Sequence, residues 1–394
     1  MNSRRLLLLI PLLLGLALSC DIADNNIDTT NTFVKIYDDS RFEEEYFPVD
    51  VIQTADNGYL ILSEKKNDQS LFTSVFVLKV DEKGEVVSSI DLPDPSSLPV
   101  KGWSKIDDRY YFVCMNANTL SAQLIAVDDD GTVADPVLIN GLTYPLATQV
   151  DGQNIAVLSY DNQDTESVIS VVATNGQISQ QASYSIGAGV DVEKPIIDHL
   201  TRNGKQLPFQ VGNSGGTYYF NGFYNYTFSL VFTSFGDSPT GVCQGQLSAG
   251  GISAVSSLGG SNFGISRFNF DANFLNPVTT IATNSTTSST DLGGNTFPEI
   301  EVNAEVDILQ IEDNGNLIFG SNTQAKKLVL YGFDNSGMAL TTRYIGTDNP
   351  YTFAAFTTTS DGGLAILART ALEGRFPRIA LFKRDAGFLN SLLQ

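Results

Sequence analysis

The chain has 394 residues, with 44 acidic against 23 basic side chains and a formal net charge of -21. Negative charge on this scale repels phosphate backbones, which argues against a nucleic-acid partner. A single histidine excludes His-clustered metal sites, and three cysteines supply no disulfide framework.

Residues 1–20, MNSRRLLLLIPLLLGLALSC, set Arg4 and Arg5 before an apolar run from Leu6 to Leu18, the layout of a secretory signal peptide. The run is too short for a membrane-spanning helix. It closes on Leu16-Ala17-Leu18-Ser19-Cys20, which resembles the lipobox of a bacterial lipoprotein, with small Ser19 directly before the cysteine. Ala17 and Leu18 depart from that pattern, where leucine and a small residue are usual. The resemblance implies that residues 1–19 are a signal peptide and that Cys20 is lipidated and becomes the first mature residue. It also implies an outer-membrane lipoprotein in the cell envelope of a Gram-negative-type bacterium, facing the periplasm or the surface. An ordinary secreted protein cut nearby, with Cys20 incidental, is the alternative. Several acyl chains give stable anchoring, since each buried methylene contributes about 0.8 kcal/mol. Residues 20–32 are polar and acidic and read as a flexible tether.

From Phe33 onward two turn signals alternate with short apolar runs. The first recurs at Asn57-Gly58, Asp107-Asp108, Asp151-Gly152, Gly215-Gly216, Gly250-Gly251, Asn314-Gly315 and Asp361-Gly362. The second follows at Gly84, Gly131, Gly176, Gly236, the Asp271-Ala272-Asn273 corner, Gly337 and Gly387. Runs such as Val75 to Val80, Val168 to Ala173 and Leu328 to Phe333 are β-branched or aromatic and end at turns. Helical spacing is absent beyond the signal peptide. A period of about fifty residues, with about four strands in each, predicts an all-β chain: a β-propeller of seven four-stranded blades over residues 33–394.

The repeat resembles a bacterial propeller repeat in which an Asp-Gly-Gly turn leads into an apolar strand and a Leu-Lys-x-Asp-x-x-Gly hairpin follows. TADNGYLIL with LKVDEKG, and TTSDGGLAIL with LFKRDAG, carry the likeness. It implies an architecture and no activity. With strands a to d counted outward, the two turn signals share one face, and the b–c loops and interblade connections share the other. Two long insertions fall on that second face, Gly187 to Phe209 and Thr279 to Glu305, and are expected to fold over the channel end. Phe33 to Tyr37 is expected to complete the last blade, with Phe388 to Leu393 competing for the place.

Candidate site residues follow from chemistry. Asp191, Glu193, Glu299, Glu301 and Glu305 are acids on the insertions that could serve a glycoside hydrolase or lyase. If Glu299 and Glu301 lie in a strand they point the same way. Tyr160, Tyr224 and Tyr226, near b–c turns, are candidate ligand contacts, because sugars and peptides dock on aromatic faces. His199 and Arg202 join them as polar loop residues. Trp103 reads as blade packing, and Asp128-Asp129-Asp130-Gly131 as a hairpin turn rather than a calcium loop. Cys114 and Cys243 are a disulfide or two buried thiols. No cofactor or metal motif is present. The expectation is a membrane-anchored, non-catalytic binding or scaffold module for a protein or glycan partner; the alternative is a polysaccharide-active enzyme. An open pocket holding two or three carboxylates at one channel end would favour the enzyme.

Overall fold

The computed structural model describes residues 32–37, 44–66, 70–346, 349–372 and 376–394. The signal, lipidation and tether readings on residues 1–31 lie outside them.

Alternation explains why the strands are apolar on both sides. In Tyr59–Lys66, Tyr59 and Ile61 pack with Leu78, Ala365 and Leu367, while Leu60 and Leu62 pack the other way against Trp103, Phe112 and Ile125. A strand buried on both faces reads as a continuous apolar run. Glu45–Gln53, Tyr59–Lys66, Ser74–Val80 and Val86–Asp91 pair antiparallel in that order as the first blade. Equivalent meanders begin with Ser104–Ile106, Pro145–Asp151, Gln210–Ser214, Gly250–Gly259, Asp307–Gln310 and Tyr351–Thr358. These strands form seven units of four among the described residues. The two-residue strand Ser96–Ser97 stitches the first two units into one sheet. Seven apolar clusters lie one at each junction between successive units, the last joining Tyr351–Thr358 and its neighbours to the first blade.

Ring closure uses the N-terminal strand. Phe33–Tyr37 pairs antiparallel with Phe376–Arg384, from Phe33 opposite Lys383 to Tyr37 opposite Ile379. With that outer place filled, the C-terminal segment has no strand to pair with.

Two helices depart from the all-strand expectation. The helix α1, Val190–Leu200, lies in the first insertion and buries Val192, Ile196 and Leu200. The helix α2, Ala386–Leu392, stands where Gly387 was expected to turn a hairpin and where Phe388 to Leu393 was the competing closing strand. Asp385 caps it, accepting from the Phe388 N–H at 2.8 Å.

The fifth blade is displaced by one strand from its expected phase. Gly250 and Gly251 open its inner strand, Gly259-Gly260 makes its first turn, and Asp271 separates its second and third strands. Gly251 answers a close approach instead of a turn: a Cβ there would lie 2.9 Å from the Phe228 carbonyl. Its chain then runs outward. Thr286–Ser288 pairs in parallel with Gly241–Gln244 on the fourth blade's outer edge, so the Ser/Thr-rich stretch does not cover the channel.

The turn aspartates have a second role. Lys79, with its side chain 1% exposed, donates to Thr54 Oγ1 at 2.6 Å and to Asp56 Oδ1 at 2.7 Å. Lys383 reaches both Asp361 carboxylate oxygens at 2.9 Å. The lysine of the third strand therefore clamps the first turn in these two blades.

Candidate functional site

A cavity of about 640 Å³ opens where the inner strands begin, on the face of the interblade connections. Both insertions supply walls: His199 to Gln210 on one side and Glu301 to Ile308 on another. Five acids and five bases line it, so it is locally neutral in a strongly acidic chain.

One side is built around Lys101, in the connection from the first blade to the second. Its ammonium reaches Glu305 Oε1 at 2.6 Å, Asp307 Oδ2 at 3.1 Å and the Ala354 carbonyl at 2.7 Å. Asp50 is turned inward at a register shift after Pro48, which an inner edge strand tolerates. Asp50 Oδ2 accepts from the N–H groups of Gly102 and Trp103 at 3.0 and 2.8 Å, and Oδ1 from Val51 N–H at 2.8 Å. Gly102 is required there: its φ is 123°, and a Cβ would lie 2.2 Å from the Thr148 carbonyl.

Burial raises the Asp50 and Glu305 carboxyls above their ordinary values, against the lowering influence of Lys101. Burial also opposes charge on Lys101, but Asp307, Glu305 and Asp50 outweigh it and hold the ammonium well above its usual range.

The lining also carries cations on aromatic faces. Arg202 forks onto Glu64, with Nη2 donating to Oε1 at 2.6 Å, and lies 4.9 Å from the Phe47 ring centre. Arg369 lies 5.1 Å from the same ring centre. Lys205 sits 4.0 Å from the Phe268 ring centre and donates to the Ser248 carbonyl at 3.3 Å.

No protein-family model matches the sequence, and no curated protein matches it. Among solved structures, the chain is similar to the β-propeller domain of the Trilobed protease from Pyrococcus furiosus. The TM-score is 0.50 at 9% identity, over 86% of this chain and 94% of that one. The fold is a β-propeller. An acylaminoacyl peptidase also matches, with 13% identity and a TM-score of 0.49 over 89% of this chain and 54% of that one. So does Trypanosoma rangeli sialidase in complex with sialic acid, with 8% identity and a TM-score of 0.43 over 91% and 60%. Identities this low bear on the fold alone.

The propeller gathers only some of the residues singled out in the sequence. Glu301, Glu305, His199 and Arg202 line the cavity. Glu299 and Glu301 occupy turn and loop rather than strand, and they part company. Glu299 accepts from the hydroxyls of Tyr331 and Tyr344 at 2.8 and 2.7 Å, while Glu301 pairs with Lys326 at the rim. Asp191 and Glu193 sit in the first turn of α1, where acids favour the helix dipole, and do not line the cavity. His199 ends α1 instead of lying in a surface loop. Its Nδ1 accepts from Leu207 N–H at 3.0 Å, and burial with nearby Arg202 lowers its pKa to about 3, so the ring is a neutral acceptor that fixes the loop.

The tyrosines lie elsewhere. Tyr160 is fully buried in Asn154–Asp161, beside Tyr144. Tyr224 lines a separate cavity of about 400 Å³ with Thr227, Pro239 and Asn284. Tyr226 is 49% exposed, its ring laid against Gly187. Trp103 packs edge-on to Phe112, and Cys114 and Cys243 are buried free thiols. The acids of Asp128-Asp129-Asp130 serve the hairpin and its neighbours: Asp128 pairs with Arg109, Asp129 accepts from Ala55 N–H, and Asp130 from Thr132 N–H.

Asp50, Lys101, Lys205, Asp307, Arg369 and Phe47 were not singled out in the sequence. A signal existed for Asp50 and Lys101, charged residues inside the apolar stretches FPVDVI and LPVKGW.

Proposed function

We propose that the chain is an extracytoplasmic propeller, held to a membrane through Cys20, that binds a protein or glycan ligand in the cavity on its connection face. The observation that carries this reading is the cavity itself: about 640 Å³, at the channel mouth, walled by both insertions and lined by fixed polar groups and aromatic rings. Asp50 is held by three backbone N–H groups, and the Glu305 and Asp307 carboxylates share one ammonium. Acids held in this way pre-organise a binding surface. The anchor rests on Arg4, Arg5, the apolar run and the lipobox-like end at Cys20.

Val302→Trp, which adds bulk at an exposed position of the cavity lining, tests the site without presuming a ligand. Pull-down from solubilised membranes and a glycan array should lose their signals in this variant while the melting curve stays unchanged. Retention of every bound partner would reject the cavity as the site.

A second reading, a polysaccharide-active enzyme, is favoured by one feature: Asp50, Glu305 and Asp307 converge on Lys101 in an open cavity. The raised Glu305 carboxyl is the acid this reading would use. Turnover of a polysaccharide into reducing ends or unsaturated products, abolished by Glu305→Gln, would establish it.

A further inference from the structure

The cavity's cations are not equivalent. Lys101, Arg202 and Lys326 each pair with an acid, at Glu305 and Asp307, at Glu64, and at Glu301. Among the described residues, neither Arg369 nor Lys205 has an acid within ion-pair distance. Burial, then the neighbouring Arg202, hold the Arg369 guanidinium below its ordinary value, and burial does the same to Lys205. In a chain with almost twice as many acids as bases, two partly buried cations without a carboxylate in direct contact are costly in the free protein, even though Glu45 and Glu301 act on Arg369 from farther off. Both line the open cavity, and the flat faces of Phe47 and Phe268 hold them there.

We propose that this cavity takes a uronate-bearing oligosaccharide, with one sugar carboxylate held by Arg369, another by Lys205, and sugar hydroxyls donating to the carboxylates around Lys101. The proposal rests on the cavity reading above and narrows its ligand. Guanidinium matches a carboxylate in a two-point fork, which an unpaired Arg369 leaves free. The same cavity offers acceptors, at Glu305 and Asp307, to which ligand hydroxyls can donate. A uronate unit carries one carboxylate and several hydroxyls on one ring, and so meets both kinds of group. An acidic peptide brings a carboxylate on every residue, and some of these would meet Glu305 and Asp307.

The test is calorimetric titration of the full mature chain with tetramers of galacturonate, of mannuronate and of hyaluronan, beside maltotetraose and tetraglutamate. At least one uronate tetramer should bind, with affinity falling as salt is raised, and maltotetraose should not. Arg369→Gln and Lys205→Gln should each weaken that binding about tenfold or more, with unchanged melting curves. Absence of binding across the uronate panel, equal binding of maltotetraose, tighter binding of tetraglutamate, or unchanged affinity in both variants would each overturn the proposal. Partners lost in Val302→Trp but kept in Arg369→Gln and Lys205→Gln would defeat the uronate inference alone; partners kept in all three would defeat the cavity reading.

Discussion

Replacing Asp361 by alanine strands a buried charge in the blade that closes the ring. The Lys383 side chain is 4% exposed, and its ammonium is held by Asp361 Oδ1, Asp361 Oδ2 and the Arg384 carbonyl, each at 2.9 Å. In Asp361→Ala only the carbonyl remains, and the Thr359 hydroxyl and Gly363 N–H lose their acceptor as well. Breaking a fully buried pair from one side costs about 3–5 kcal/mol. Asp361 is one-third exposed, so water recovers part of this, and about 2–3 kcal/mol is expected. Lys383→Met removes the charge with its partner's role and should cost less than about 1 kcal/mol, since an apolar stem still fills the site. The double variant should match Lys383→Met, giving a coupling of about 2–3 kcal/mol. Urea unfolding followed by circular dichroism and by Trp103 fluorescence measures all four corners of the cycle. A cost for Asp361→Ala below about 0.5 kcal/mol, or equal costs for the two single variants, would refute the clamp.

Acid should weaken the same clamp. Burial raises the Asp361 pKa, but hydrogen bonds from Thr359 and Lys383 prevail and hold it below the ordinary value. Its contribution is therefore present above the unfolded carboxylate range near pH 4 and lost as pH falls through the folded value; acid titration of wild type against Asp361→Ala checks this. His199 acts in a higher window. With a folded pKa of about 3 against about 6.5 unfolded, the unfolded chain takes the proton first, so stability should fall by up to about 1.4 kcal/mol per pH unit between pH 6.5 and 3. That slope should shrink in His199→Gln, as read by melting temperature against pH. Gly102→Ala should lose about 2 kcal/mol or more in urea unfolding, because a Cβ collides with the Thr148 carbonyl at a left-handed φ. Cys20→Ser should move the protein from membrane to soluble fractions, and unchanged membrane association would reject the anchor.

Much of the propeller was legible because a blade is a local object. TADNGYLIL and LKVDEKG announce their turns within thirty or so residues, and Phe33-Val-Lys-Ile-Tyr37 announces its closing strand by alternation. The fifth blade misled because glycine marks close backbone approach as well as turns, and Gly251 serves the former. Gly387 misled because an Asp two residues before a Gly can cap a helix as well as turn a hairpin, and Asp385 caps α2. The cavity was harder to read. Lys101 and Glu305 meet across 204 residues, so their contact has no local periodicity. Acids on the insertions were visible as a class, yet only Glu301 and Glu305 reach the cavity, while Glu299 is drawn off by two tyrosines. The lysine clamps were half visible: Asp56 and Asp361 read as turn formers, and only three dimensions bring Lys79 and Lys383 to them.

Closure by Phe33–Tyr37 has a mechanical consequence. Tension on the segment before Phe33, directed along the strand axis, enters the fold through five residues paired with Phe376–Arg384 and strains that ladder in shear, all rungs together. A shear geometry resists force far better than peeling one rung at a time. The strand that completes the ring is therefore also its mooring point, and a pull strong enough to part it would leave the first and last blades joined by their apolar packing.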